Sequence, residues 1–257
     1  MYKIIRNRLE QGHRTSSYPK KPIQLPASYR GLPLVNADSS LSLARRCAAL
    51  CPQNAILAEE RKIDLGRCTF CGRCAELQDG EGEGGEYFVR FTQRFELAAT
   101  SRNDLITSGT LPDLAQQAKE QIIKLFGRSL QLRQVSAGGC NACEADINVL
   151  GTPFFDLSRF GIDFVASPRH ADGIMVTGPI SRNMRSALID TYQAVPAPKV
   201  VIAAGCCAIS GGPFHGSAEI IGDLHSLVPV DLYIPGCPPH PLTTLHALLA
   251  YFKQMRS

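Results

Sequence analysis

The sequence predicts an α/β fold in two parts: a small cysteine-rich module, then a parallel sheet with helices on its faces. Three observations carry this expectation. The ten cysteines of the 257-residue chain fall into two groups, Cys47 to Cys74 and Cys140 to Cys237, with a long cysteine-free stretch between them. The second group is threaded through short apolar runs that alternate with helical patterns, as in a parallel sheet covered on both faces. The composition is 44% hydrophobic and 19% charged, that of a folded chain long enough to bury a core.

From the N-terminus, Ile4, Ile5 and Leu9 stand beside Lys3, Arg6, Arg8 and Arg14. This weakly amphipathic segment suits a partner surface or lipid headgroups, or else it is a solvated tail. Pro19, Pro22, Pro26 and Pro33 predict an extended N-terminal arm over residues 18–35, laid over a partner. Next come CAALCP and CTFCGRC. Three cysteines at two-residue spacing can turn inward on one face of a 4Fe–4S cube. The bacterial ferredoxin run is C-x2-C-x2-C-x3-C-P, and its fourth cysteine ligates the other cluster. On that template the second run supplies Cys68, Cys71 and Cys74, with Gln78 in fourth place; the first supplies only Cys47 and Cys51, with Leu41 and Ala44 in the earlier places. One cluster therefore keeps all four ligands, Cys51, Cys68, Cys71 and Cys74. The other would need positions 41, 44, 47 and 78, where only Cys47 is a thiol. The module is expected to hold one cluster, with Cys47 a buried thiol. The alternative is zinc, which uses C-x2-C pairs joined to a second pair or to histidine at longer spacing. A flexible acidic loop follows at 79–86, where an intact second motif would have continued, and residues 113–126 form an amphipathic linking helix.

In the second part, apolar runs cover 130–136, 173–178, 199–205 and 230–236. Cys140 and Cys143 follow the first, Gly178-Pro179 the second, Cys206-Cys207 the third and Cys237-Pro238 the fourth. Ligands of such sheets gather beyond the carboxyl ends of the strands, so distant segments converge on one rim, as a cluster requires. A disulfide pair, or a thioredoxin-type role for Cys140 and Cys143, leaves the other strand-end thiols unexplained. Gly178, Gly205, Gly211, Gly212 and Gly236 provide tight turns beside the thiols. Pro241 to Met255 reads as a closing helix.

Other classes are disfavoured. The net charge of +4 lacks a basic stripe, so nucleic acid is not expected as a partner. No glycine pattern for phosphate follows a strand, which disfavours nucleotides. No run of 18 uncharged apolar residues exists, and the N-terminus carries charge where a signal peptide needs an apolar run. The expected compartment is cytoplasmic, where ten thiols point to metal and not to disulfides.

Residues 130–245 resemble the small, proximal-cluster subunit of membrane-bound NiFe hydrogenases and complex I, through GGCNACE, SPRHADGIMVTGPISRNMRSAL, GCCAISGGPFH and VPVDLYIPGCPPHP. Residues 1–105 resemble the ferredoxin-like subunit of formate hydrogenlyase, through SSYPKKPIQLPASYRGLP, CPQNAI, CTFCGRC and FELA. The resemblance implies a natural fusion of two neighbouring electron-relay subunits. Its fold would be an N-terminal ferredoxin-like iron–sulfur module (1–110), a linker helix (111–129) and a C-terminal flavodoxin-like parallel-sheet domain (130–257). The family register G-x-C-x-x-S-G-G selects Cys207 over Cys206, so a second 4Fe–4S cluster would be held by Cys140, Cys143, Cys207 and Cys237. The C-x2-C-E form of Cys140, Cys143 and Glu144 is similar to hydrogenases; complex I subunits place two cysteines side by side.

The implied function is relay of single electrons through two 4Fe–4S clusters to or from the NiFe large subunit of a formate hydrogenlyase-type complex on the cytoplasmic face of the membrane. Its partners would be that large subunit, membrane-arm subunits of a complex I-like assembly and a further ferredoxin-type donor. The alternatives are a subunit of a quinone-reducing complex I relative without nickel, and a scaffold whose cysteines no longer bind clusters. Glu144 is a candidate proton relay or interface group, or a helix-start carboxylate favoured by the dipole. Arg182, Arg185 and His170 are candidate tuning or ion-pairing residues, or a polar helix face; His170 and His215 are expected to make structural hydrogen bonds.

Overall fold

The computed structural model describes residues 2–79, 86–114 and 129–252. The first half is built of short pieces. Helix α1 (Tyr2–Gln11) buries no side chain and leaves Tyr2, Ile4, Ile5 and Leu9 exposed. After the arm come β1 (Pro33–Val35) and α2 (Leu41–Leu50), whose N-cap Ser40 accepts the Leu43 amide at 3.2 Å. Then follow β2 (Ile56–Leu57), β3 (Lys62–Asp64), α3 (Arg73–Glu76), β4 (Gln78–Asp79), β5 (Glu86–Tyr87), β6 (Val89–Phe91) and β7 (Ile106–Thr107). They pair antiparallel as β1–β6, β2–β3–β7 and β4–β5.

The second half runs β8 (Leu130–Ser136), α4 (Ala142–Val149), β9 (Ile162–Phe164), β10 (Gly173–Thr177), α5 (Arg185–Ala194), β11 (Val200–Ala204), α6 (Cys206–Ser210), β12 (Leu232–Ile234) and α7 (Pro241–Phe252). All five strands are parallel, in the order β9–β8–β10–β11–β12. Counted within the sheet this is 2-1-3-4-5, the flavodoxin order, with its switch point between β8 and β10. Every residue of β10 and β11 is buried, which explains their unbroken apolar runs. The strand β9 has no comparable run and is the one strand of this sheet that the apolar pattern did not predict.

The alternating side chains of the sheet fill two cores. Val135, Ile174, Val201 and Tyr233 pack with Leu43, Cys47, Ile63 and Phe88 of the first half. Leu132, Met175 and Ile202 face the other way, toward Ile147 of α4 and Leu242, Leu245 and Leu248 of α7. The two halves thus share a core. Their seam is also bonded: Ala99 and Tyr233 exchange backbone hydrogen bonds at 3.1 and 2.8 Å, and the Ser210 hydroxyl donates to the Gly66 carbonyl at 2.9 Å. A Cβ on Gly66 would lie 2.7 Å from Ile209, so no larger residue fits this seam.

The arm corrects one expectation. Its prolines suggest an arm laid over a partner, but it lies over the chain's own second half. The Tyr18 hydroxyl meets His246 Nδ1 at 2.8 Å, and Arg159 donates to the carbonyls of Ser16 and Tyr18, each at 2.8 Å. The Tyr18 ring stacks edge-on against Phe95, and the Tyr29 ring against His240. Proline makes the arm extended, but its aromatic side chains decide where it lies. The linking helix at 113–126 falls almost entirely outside the described residues, as do the acidic loop between 79 and 86 and the end of the closing helix beyond Phe252. No helix among the described residues is long and apolar enough to cross a membrane.

Candidate metal centres

Cys51, Cys68, Cys71 and Cys74 line one small cavity, together with Ile56, Ile63 and Phe91. Cys51 caps the end of α2, Cys68 and Cys71 lie on a tight loop leading into α3, and Cys74 is in α3 itself. Phe70 and Gly72 hold positive φ in that loop, which turns the thiols to one side. Backbone amides reach the sulfurs: Ala55 donates to Cys51 Sγ and Phe70 to Cys68 Sγ, each at 3.3 Å. Burial, with the neighbouring thiols, pushes Cys68 and Cys74 up to about 12. Such thiols become thiolates only when a cation offsets the burial. Leu41 is half-buried, Ala44 is buried and Gln78 is exposed, so these positions gather no second donor set. Cys47 is fully buried behind the quartet, its Sγ 3.6 Å from the Cys74 carbonyl oxygen.

The other cysteines come together beyond the carboxyl ends of the sheet. Cys140 and Cys143 follow β8 at the start of α4, Cys206 and Cys207 open α6 directly after β11, and Cys237 follows β12. Cys143 lies in the field of Cys207, Cys237 and Cys140, and burial first, then these neighbours, lift its thiol to about 12. Cys206 and Cys207 crowd one glycine, Gly212, and the proximity of Cys206 to Cys207 and Cys237 pushes its own pKa up, lowers that of Cys207 and brings Cys237 down to about 7. Cys140 and Cys237 are exposed, so one side of this group opens outward.

Two glycines shape the cradle. Gly205 has φ 91° and ψ 152°, a region open essentially to glycine alone, and a Cβ there would lie 2.7 Å from Cys143 Sγ. A Cβ on Gly212 would lie 2.8 Å from Cys207 Sγ. Gly205→Ala is expected to strain the turn and displace Cys143. Any metal bound at this thiol group should then fall while any bound at the first group remains, as metal analysis of the purified variant can check. Among the described residues no three His, Cys, Asp or Glu side chains close around a single metal ion.

Glu144, in the first turn of α4, is buried at the switch point of the sheet. Its Oε1 accepts the Ser136 and Thr177 hydroxyls, both at 2.6 Å, from the last residues of β8 and β10. Burial alone would raise its pKa, but the two hydroxyls and its own backbone amide outweigh this and hold it below the usual glutamate value. The carboxylate ties the helix carrying Cys143 to the two central strands. Arg182 and Arg185 are exposed, and Arg182 donates to the Ala218 carbonyl, so they lie on a polar face. His215 Nδ1 bonds the Ser210 carbonyl at 3.0 Å, and His170 is exposed. Sequence reasoning missed the two hydroxyl partners of Glu144, Ser136 and Thr177, although Thr177 is the polar end of the otherwise apolar run of β10. It also missed the Asp64–Arg102 pair, bidentate at 2.8 and 2.7 Å, which nothing in the local sequence signals.

The family described as "NADH ubiquinone oxidoreductase, 20 Kd subunit" matches residues 140–251, the stretch that carries the second thiol group. Formate hydrogenlyase subunit 7 of Escherichia coli is 41% identical over 150 residues, 58% of this chain and 59% of that protein. The "Probable membrane-bound hydrogenase subunit mbhJ" of Pyrococcus furiosus is 38% identical over 135 residues, 52% of this chain and 81% of that protein. An NADH-quinone oxidoreductase subunit of Roseiflexus sp. is 42% identical over 118 residues, 46% of this chain and 44% of that protein. The chain thus spans 59% of the first of these relatives and less than half of the third. With most of the Pyrococcus protein covered at this identity, and with the parallel sheet and its strand-end thiols in place, the chain belongs to the NADH ubiquinone oxidoreductase 20 Kd subunit family.

Proposed function

We propose that this chain is an electron-transfer subunit that relays single electrons through two 4Fe–4S clusters to or from the NiFe large subunit of a membrane-associated hydrogenase or formate hydrogenlyase-type complex. The observation that carries this reading is the gathering of eight thiols from distant segments into two groups: Cys51, Cys68, Cys71 and Cys74 around one cavity, and Cys140, Cys143, Cys207 and Cys237 at one sheet rim. The residues fit such groups. Soft thiolates suit iron, and the amides of Ala55 and Phe70 already point at sulfur. When bound, the clusters take up and release single electrons. The chain's own residues hold and space them, and keep water from their inner sides.

Each half has its own part in this reading. The ferredoxin-like module of residues 1–110 holds the first cluster, toward a ferredoxin-type donor. The sheet domain of residues 130–257 holds the second, where the exposed Cys140 and Cys237 face the large subunit. Membrane-arm subunits, with the exposed apolar side of α1 nearby, would keep the protein at the cytoplasmic face of the membrane. A second reading places the chain in a quinone-reducing complex without nickel. The identity to the Roseiflexus NADH-quinone oxidoreductase protein favours it; the C-x2-C-E form of Cys140, Cys143 and Glu144 favours the first.

Iron and sulfide analysis after anaerobic purification is expected to give about eight irons per chain. About four would remove one of the two sites, and about twelve would overturn the argument from Leu41, Ala44 and Gln78. Co-purification of a nickel-containing large subunit separates the two readings.

A further inference from the structure

Arg30 comes from the N-terminal arm, far in sequence from the first thiol group, yet its guanidinium lies on the loop that carries that group. A Cβ on Gly72 would stand 2.5 Å from Arg30 Nε and 2.7 Å from its Cζ, so the guanidinium rests directly on the glycine. Gly72 is buried although Cys71 and Arg73 on either side of it are exposed, because Arg30 covers it. The arm is pinned on both sides of Arg30. The Tyr29 ring packs edge-on against His240, and the Gly31 amide donates to the Thr92 carbonyl at 2.8 Å. Arg30 also lines a cavity of about 240 Å³ with Thr69 and Phe70 of the same loop and with Gly236 and Cys237 of the second group. No carboxylate among the described residues lies within ion-pair range of it.

We propose that Arg30 is the charge that tunes the first cluster: its guanidinium, laid on Gly72 between Cys71 and Cys74, raises the potential of the group that these thiols hold. This rests on the reading of Cys51, Cys68, Cys71 and Cys74 as ligands. A cube held by four thiolates is anionic, and it gains a further negative charge on reduction. A cation held beside it therefore favours the reduced state, since cluster potentials follow local charge. Arginine suits the place, because it keeps its charge at any working pH and its flat fork lies against backbone. With no carboxylate to offset it, the charge is available to the thiol loop. Gly72 is what lets it approach: the residue holds φ 85°, and any side chain there would push the guanidinium away.

The test uses the full chain, purified anaerobically with its iron, in parent form and as R30Q, R30K and C68A. Iron per chain is measured, with a redox titration followed by electron paramagnetic resonance at low and high salt. The first cluster's signal is the one that C68A loses. R30Q is expected to keep the parent's iron while the reduction equilibrium of that signal falls about tenfold, about 59 mV for one electron. R30K keeps the charge and should recover most of the shift, whereas a packing role would move both variants alike. The difference between parent and R30Q should shrink at about 1 M salt, where screening acts within about 3 Å. An unchanged potential in R30Q at full iron content overturns the proposal. So does an R30K shift as large as that of R30Q, a shift confined to the other signal, or loss of the first cluster's iron from either variant, which would make Arg30 a support of the loop and not its charge. A parent chain with no iron at this quartet defeats the reading beneath the proposal, and the proposal with it.

Discussion

Cys143→Ala is expected to remove about four of about eight irons per chain and to reduce electron transfer through the assembled complex to background. Cys143 stands at the centre of its group: Cys207, Cys237 and Cys140 all act on it, and its sulfur lies under Gly205 where no side chain fits. On the proposed reading, removing one of four thiolates would leave a corner of the cube to water, and a relay in series would fail at its weakest step. Cys68→Ala should remove the complementary half. Cys47→Ala is the control, because this thiol is packed in the core and meets the first quartet only at the Cys74 carbonyl; it should keep all the iron. Iron analysis and the two resonance signals distinguish these outcomes, and full iron in Cys143→Ala would remove the second quartet from the assignment.

Arg102→Ala is expected to destabilise the folded chain by about 2–4 kcal/mol, slightly less than a fully buried pair would give, because the arginine is about a quarter exposed. Asp64 is buried; its carboxylate holds Arg102 through two bonds and also accepts the Gly66 amide at 2.9 Å. Without Arg102 it would be left as a buried charge, with Arg67 at 3.7 Å its one remaining cationic contact among the described residues. The damage should spread, since the Cys68 amide bonds the Asp64 carbonyl at 3.0 Å and Gly66 forms the seam with Ile209. Urea unfolding of the variant measures the loss. Replacing Asp64 and Arg102 together with leucine should be milder than Arg102→Ala alone; if the double change is the worse, the buried charge is not the cause.

Periodicity made the central strands legible. The runs at 130–136, 173–178, 199–205 and 230–236 became β8, β10, β11 and β12; burial on both faces leaves an unbroken apolar signature in β10 and β11, while β8 carries Gln131, Arg133 and Gln134 half-buried between its apolar residues. β9 escaped because Ile162–Phe164 is three residues long and holds an aspartate. The thiol groups were legible by spacing near Cys68 and by strand ends near Cys140, since both are local signals. What spacing could not show was contact between distant segments: the arm against α7, Glu144 beneath Ser136 and Thr177, and the start of α6 against the Gly236 turn. Each depends on which strand lies next to which, and strand order is set by packing across the whole sheet. The Pro-rich arm shows the same limit, since proline spacing reveals its extended form and not its resting place.

The seam between the halves bears on how such a relay behaves at low concentration. Where two cofactor-bearing proteins meet only by association, mass action governs their pairing, and dilution parts them. Here Ile209 against Gly66, the Ser210 bond and the Ala99–Tyr233 bridge belong to one covalent chain. The stoichiometry of the two thiol groups is therefore one to one at any concentration, and the interval between them is a property of folding and not of encounter.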